Sequence, residues 1–202
     1  MLFRSDDAQP TWYFGPPSVH AAVLDEADRR GITRVQRPLR FVRSAGGPGT
    51  AALSPRLTAL FGAPVLEAYS TQVLGPIAAM PPNRATPPGS VGLPVARRIT
   101  IEAEDGTPLP PGELGEVVLH DPEDDPHGWF TEPGSLALPG GRAATGDLGY
   151  LDAEGFLYIT GRLKEVIKRG GAQVLPQELD DLLLQHPAVQ QAATFGVPDP
   201  LL

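Results

Sequence analysis

Four side chains with chemistry to offer fall in one ordered segment, ATGDLGYLDAEGFLYITGRLKEVIKRGGAQVLPQELDD (residues 144–181). A carboxylate such as Asp147 can accept hydrogen bonds from two neighbouring hydroxyls at once. Arg162 presents a planar fork suited to a hydroxyl or a phosphate. Lys164 and Lys168 are the only two lysines among 202 residues, and they stand four apart between Gly161–Arg162 and Gly170–Gly171. Glycines there permit a hinge and a close backbone approach. A hairpin with an exposed charged loop is the bland reading, but it would not demand so ordered a pattern.

Three further stretches carry candidate groups. VLEAYSTQV (65–73) holds Tyr69, Thr71 and Gln72 at the end of an apolar run. RSAGGPGTAALSP (43–55) lies between a predicted strand and a predicted helix, where phosphate-binding loops sit. It lacks the Gly-Lys-Ser/Thr of a P-loop, so Gly46 and Gly47 read equally as a plain loop. TWYFGPPSVHAAVL (11–24) puts His20 on a helix, as a structural histidine or a substrate contact with equal weight. HDPEDDPHGW (120–129) sets two histidines among acids. Its prolines and lack of helical spacing favour an exposed acidic turn over a metal site.

The elements that must position these groups follow from periodicity and punctuation. Residues 16–31 predict a helix with Val19, Ala22, Val23 and Ala27 on its apolar face and Gly31 just past its end. LRFVR (39–43) and PVLEAY (64–69) predict strands around a helix at 54–62, capped by Ser54, opened by Pro55 and closed by Gly62. Strand, helix, strand in this order predicts a parallel unit. PPNRATPPG (81–89) predicts a loop. SVGLPV, RRITIEAE and GEVVLH, within 90–120, predict a small barrel or antiparallel sheet. Residues 150–159 predict a hairpin turning at Asp152–Gly155. A helix is predicted from Pro176, with Leu179, Leu182 and Leu183 on one face, and VQQAATFGV predicts a closing strand.

Composition bounds the rest. The 24 Pro and 23 Gly are about twice average usage, so turns and short strands are expected. With no Cys, disulfides and thiolate metal sites are excluded. No apolar run approaches the ~18–20 residues of a membrane span, and a cytoplasmic location is expected. The net charge of −8 divides unevenly, +5 over residues 1–100 and −13 over 101–202. The arginines are scattered rather than striped, which argues against nucleic acid.

The ordered pattern Thr-Gly-Asp, hairpin, Gly-Arg-x-Lys-Glu-x-Ile-Lys-x-Gly-Gly-x-x-Val-x-Pro-x-Glu resembles the adenylate-forming (AMP-binding) superfamily, of the acyl-CoA synthetase type. The resemblance implies the α/β and β-rich part of the large domain of such an enzyme, plus the start of its small α+β C-terminal domain. The domains expected are 1–161 (an α/β subdomain 1–88 and a β-rich subdomain 89–161) and 162–202. By resemblance Asp147 and Arg162 bind the nucleotide's ribose side and Tyr69 packs on adenine. Thr71 touches the α-phosphate, Gly46 and Gly47 back the adenine, and His20 lies near the substrate carboxylate. Lys164 is the hinge of the small domain, and Lys168 to Gly171 form its mobile loop.

The implied partners are a carboxylic acid, ATP or AMP, and CoA. The local wording of 11–24 and 65–82 is nearest the branch acting on oxalate and other small or medium acids. The family's Glu-x-Tyr-Gly-x-Thr-Glu departs here: Gln72 and Val73, or with one deletion Thr71 and Gln72, replace its Thr-Glu. The Mg²⁺ carboxylate is therefore replaced by neutral groups, which are weak Mg²⁺ ligands. The family's phosphate loop would lie before residue 1 and its C-terminal catalytic lysine after Leu202, so no complete catalytic set is expected. A ligase portion inert on its own, completed by further segments of the same enzyme, is one expectation. A non-catalytic adenine-nucleotide-binding or interaction module is the other.

Overall fold

The computed structural model describes residues 10–47, 50–72, 74–95, 98–120, 137–138, 141–186, 188–189 and 192–197. The chain divides into two compact units, residues 1–96 and 97–202.

The first unit runs β1 (Trp12–Gly15), α1 (Pro17–Arg29), β2 (Phe41–Ser44), α2 (Thr50–Phe61), β3 (Val65–Thr71), β4 (Gly75–Ala79) and β5 (Leu93–Pro94). These strands form one sheet in the order β1-β2-β3-β4-β5. β1, β2 and β3 are parallel, with Val42 opposite both Tyr13 and Val65. β4 and β5 then add antiparallel. The parallel pairing of 39–43 with 64–68 is thus present, with β2 starting two residues late. The strand expected in SVGLPV joins this sheet through β5 rather than pairing with RRITIEAE.

Tyr13 and Val42 of the strands, Val23, Leu24 and Ala27 of α1, and Leu57, Leu60 and Phe61 of α2 share one buried core. Two helix expectations need correcting. The buried face of α1 is His20, Val23, Leu24 and Ala27, whereas Val19 and Ala22 are exposed. The stripe is therefore rotated toward His20. α2 begins at Thr50, so Ser54 is not its cap and Pro55 lies inside its second turn. The helix-forming Ala and Leu residues before Pro55 extend it, although Pro forfeits one backbone hydrogen bond. Gly62 ends it with φ of 62°, a conformation glycine adopts without steric cost.

The second unit contains β6 (Arg98–Glu102), β7 (Gly115–His120), β8 (Ala137–Leu138), β9 (Arg142–Leu151) and β10 (Leu157–Arg162). Its main sheet has the order β10-β9-β7-β6, with β8 also on β9, and every pairing is antiparallel. Ile99, Ile101, Val117, Leu119 and Ala143 are buried. Alternation turns Thr100, Glu102, Glu116 and His120 to the opposite face. The β9–β10 turn is set by Asp152, whose Oδ1 accepts from the amides of Glu154 (3.1 Å) and Phe156 (2.8 Å).

A 3₁₀ turn (Leu163–Glu165) leads to the β11 (Ile167–Arg169) and β12 (Ala172–Val174) hairpin, then to α3 (Pro176–Leu184). Pro176 opens α3 as expected, but Leu179, Leu182 and Leu183 are exposed. Of the strand expected at 189–197, the described residues 189 and 192–197 have no ladder partner, and residues 190–191 lie outside the described residues. Thr194 is held to α3 by a hydroxyl bond to Asp180 (2.7 Å). Among the described residues no helix is long and apolar enough to cross a membrane.

Candidate nucleotide site

Asp147 is presented by a break in the β7–β9 ladder. Glu116 pairs with Leu148 and Val118 with Ala144, so Thr145, Gly146 and Asp147 together face Val117 alone. This is an enlarged β-bulge, a device that re-aims a side chain. The Thr145 hydroxyl donates to the Val117 carbonyl (2.8 Å) and accepts from the Asp147 amide (3.1 Å). The Gly146 amide donates to Glu116 Oε1 (3.0 Å). Gly146 has φ of 74°, a left-handed conformation that the bulge requires. Three residues on, Gly149 cannot carry a side chain, since a Cβ would clash with the Tyr158 carbonyl oxygen.

Across β9–β10, Arg162 is the register partner of Asp147. Its Nε stands 3.3 Å from Asp147 Oδ1, with the Asp147 side chain 11% exposed and that of Arg162 57%. The fold thus brings together two of the residues singled out in the sequence. A mostly buried carboxylate beside an exposed guanidinium can take a diol on the first and an anionic or hydroxyl oxygen on the second.

Beyond Arg162 the backbone turns sharply. Lys164 lies in the exposed 3₁₀ turn. Lys168 faces Gln173 in the β11–β12 hairpin, and Gly170 and Gly171 form its two-residue turn with φ of 54° and 85°. Two successive positive φ values are what such a tight hairpin demands. The segment expected as a loop is therefore an exposed β-hairpin.

The remaining candidates belong to the first unit. Tyr69 is half-buried on β3, opposite Ala78. The Thr71 hydroxyl accepts from the Leu74 amide (3.0 Å) at the β3–β4 turn. Gln72 is exposed there. The described groups of this turn are neutral, and among the described residues no cluster of three His, Asp or Glu could hold a metal. Gly46 (φ 92°) and Gly47 follow β2 at the carboxyl end of the parallel strands, near Pro16 and Pro17.

His20 is fully buried. Its Nδ1 meets the Tyr13 hydroxyl at 3.0 Å, and its Nε2 has no hydrogen-bond partner. Burial lowers its pKa, partly opposed by the Gly15 backbone. Burial also pushes Tyr13 up to about 12.

Sequence reasoning missed a polar cluster on the second sheet. Glu102, 3% exposed, accepts from Thr100 Oγ1 (2.7 Å), from His120 Nε2 (3.2 Å) and from Arg142 Nε (2.9 Å) and Nη2. His120 is thus a half-buried member of β7, not part of an exposed acidic turn; residues 121–129 of that stretch lie outside the described residues. Alternation along β6 and β7 was the available signal, because it puts Thr100, Glu102 and His120 on one face.

Residues 5–123 match the family model described as AMP-binding enzyme. The oxalate–CoA ligase of Arabidopsis thaliana is 39% identical over 194 residues, covering 94% of this chain and 37% of the ligase. A sulfoacetate–CoA ligase of Cupriavidus necator is 38% identical over 200 residues, covering 94% and 37%. The chain thus spans a little over a third of the length of these relatives. Among solved structures, the o-succinylbenzoate CoA synthetase of Bacillus subtilis in complex with its acyl-adenylate intermediate superposes with a TM-score of 0.77. The identity there is 30%, over 99% of this chain and 41% of that one. With a family match over more than half of its length and acid–CoA ligases among its relatives, this chain belongs to the AMP-binding enzyme family.

Proposed function

We propose that this chain carries the ribose-binding and hinge portion of an AMP-dependent acid–CoA ligase. Such an enzyme joins a carboxylic acid to ATP, releasing pyrophosphate, and passes the acyl group to the CoA thiol. The observation that carries this reading is the Asp147–Arg162 register pair on a bulge, 3.3 Å apart and partly accessible from solvent. Asp147 accepts the ribose hydroxyls, Arg162 steadies a neighbouring oxygen, and Tyr69 packs on adenine with Gly46 and Gly47 behind it. Thr71 faces the α-phosphate. His20 orients the acid from within the core through its link to Tyr13. Lys164 is the pivot about which residues 162–202, the beginning of a small domain, turn against 1–161, and Lys168–Gly171 move with it. The acid is small or medium in size, in keeping with the oxalate, sulfoacetate and 2-succinylbenzoate ligases among the relatives.

The 202-residue chain alone binds AMP no tighter than roughly millimolar, about 4 kcal/mol, and does not turn over. Charge on a transferring phosphate needs neutralising, yet Gln72 is neutral and both lysines lie at the junction. That neutral turn also favours a second reading, a non-catalytic adenine-nucleotide-binding module. Calorimetric titration with AMP, with pyrophosphate release measured over short carboxylic acids, ATP and Mg²⁺, separates them. Carboxylate-dependent pyrophosphate release by this chain would refute inertness; tight AMP binding without release would favour the module.

A further inference from the structure

We infer that Glu116 is a positioning residue for Asp147. The inference rests on the ribose reading of Asp147 given above. Three ladder positions of β9 are given up between Ala144 and Leu148, and something must replace the lost pairing. Thr145 supplies part of it through the Val117 carbonyl and the Asp147 amide. The apex amide, Gly146, is satisfied by Glu116 Oε1 at 3.0 Å. A carboxylate acceptor makes this a charge-assisted bond, stronger than a neutral one.

Glu116 is itself held in place. It is half-buried on β7, opposite Glu102 on β6 and Leu148 on β9. Two carboxylates opposite each other would repel, but Arg142 feels the charge of both and binds Glu102 directly. Thr100 and His120 complete the shell of Glu102. Arg142, Glu102 and Glu116 thus share the polar face of the sheet, and Glu116 alone of them bonds the bulge that presents Asp147 beside Arg162. Glu116 touches no reacting atom; it fixes the backbone that does the presenting.

The test uses the full chain, ¹⁵N-labelled, with the Gly146 and Asp147 amide resonances as the conformational readout and AMP titration as the functional one. Glu116→Ala should move both resonances and weaken AMP binding about tenfold. Glu116→Gln keeps an oxygen acceptor at the same place and should hold both readouts within about threefold of wild type. Glu116→Leu removes the acceptor at similar volume and replaces the Ala variant should that one not fold. In an Asp147→Ala background the effect of Glu116→Ala on AMP should vanish, because it acts through Asp147. The inference is overturned if Glu116→Ala leaves the Gly146 amide in place, if Gln fails to rescue, or if the AMP loss persists undiminished without Asp147. If Asp147→Ala alone leaves AMP binding unchanged, the ribose reading falls, and the Gly146 and Asp147 resonances still decide whether Glu116 holds the bulge.

Discussion

Replacing Glu102 with Ala should destabilise the second unit by about 3 kcal/mol. The carboxylate is 3% exposed and accepts from Thr100, His120 and, twice, from Arg142. Hydrogen bonds to a charged group contribute about 1.5–3 kcal/mol each in isolation, but they are not additive. Arg142 and His120 keep 30% and 20% side-chain exposure, so water can recover part of their loss. That places the cost at the lower end of what breaking a buried pair incurs. With a urea slope of about 2 kcal/mol per molar, the midpoint should fall by about 1.5 M. The pH dependence gives a second check. Burial raises the Glu102 pKa, but the Arg142 bond, with Thr100, the Arg142 charge and His120, outweighs it and holds the group below its usual 4.5. A depressed carboxylate contributes stability above the unfolded pKa and loses it as pH falls through the folded one. The gap between wild type and Glu102→Ala should therefore be full at pH 7 and narrow below pH ~4.5. A midpoint shift under 0.3 M (roughly 0.6 kcal/mol at that slope), or a gap that does not narrow in acid, would refute the reasoning.

Leu57 is fully buried between the helices and the first sheet, so Leu57→Ala should cost about 3 kcal/mol in urea unfolding; a loss below ~1 kcal/mol would mean the site collapses around the deletion. Burial raises the pKa of Glu67 on β3, so the folded state binds that proton more tightly and loses stability as pH rises above the unfolded value of 4.5. Glu67→Gln should then match wild type near pH 4 and exceed it at pH 7 in thermal melts; equal stability at both would count against it. Lys164, Lys168 and Arg169 are all exposed, and limited trypsinolysis should cut first among them or at Arg162. Uniform protection there would argue for one rigid body.

The sequence by itself determined the family and the parallel β2–β3 pairing, and it singled out Asp147 and Arg162 one by one; their pairing came from the β9–β10 register. Those rest on local order: glycine and proline punctuation, strand periodicity, and a motif whose residues lie close along the chain. Pro176 marked the start of α3, and Asp152–Gly155 marked the β9–β10 turn, because each acts through its own backbone. What tertiary structure decided was which face each element buries and which polar groups meet. α1 turns His20 inward because Tyr13, seven residues before it and on β1 of the sheet, offers a hydroxyl partner; no single-helix pattern contains that contact. Leu179, Leu182 and Leu183 have helical spacing yet remain exposed, since amphipathicity states a preference and not the presence of a covering surface. The described residues of the strand expected at 189–197 join no ladder, since β propensity does not by itself supply a pairing. Glu102, His120, Arg142 and Glu116 come from three strands separated by long stretches of chain. Only the register of an antiparallel sheet sets them on one face, where Glu116 also accepts from the Gly146 amide of the bulge that presents Asp147.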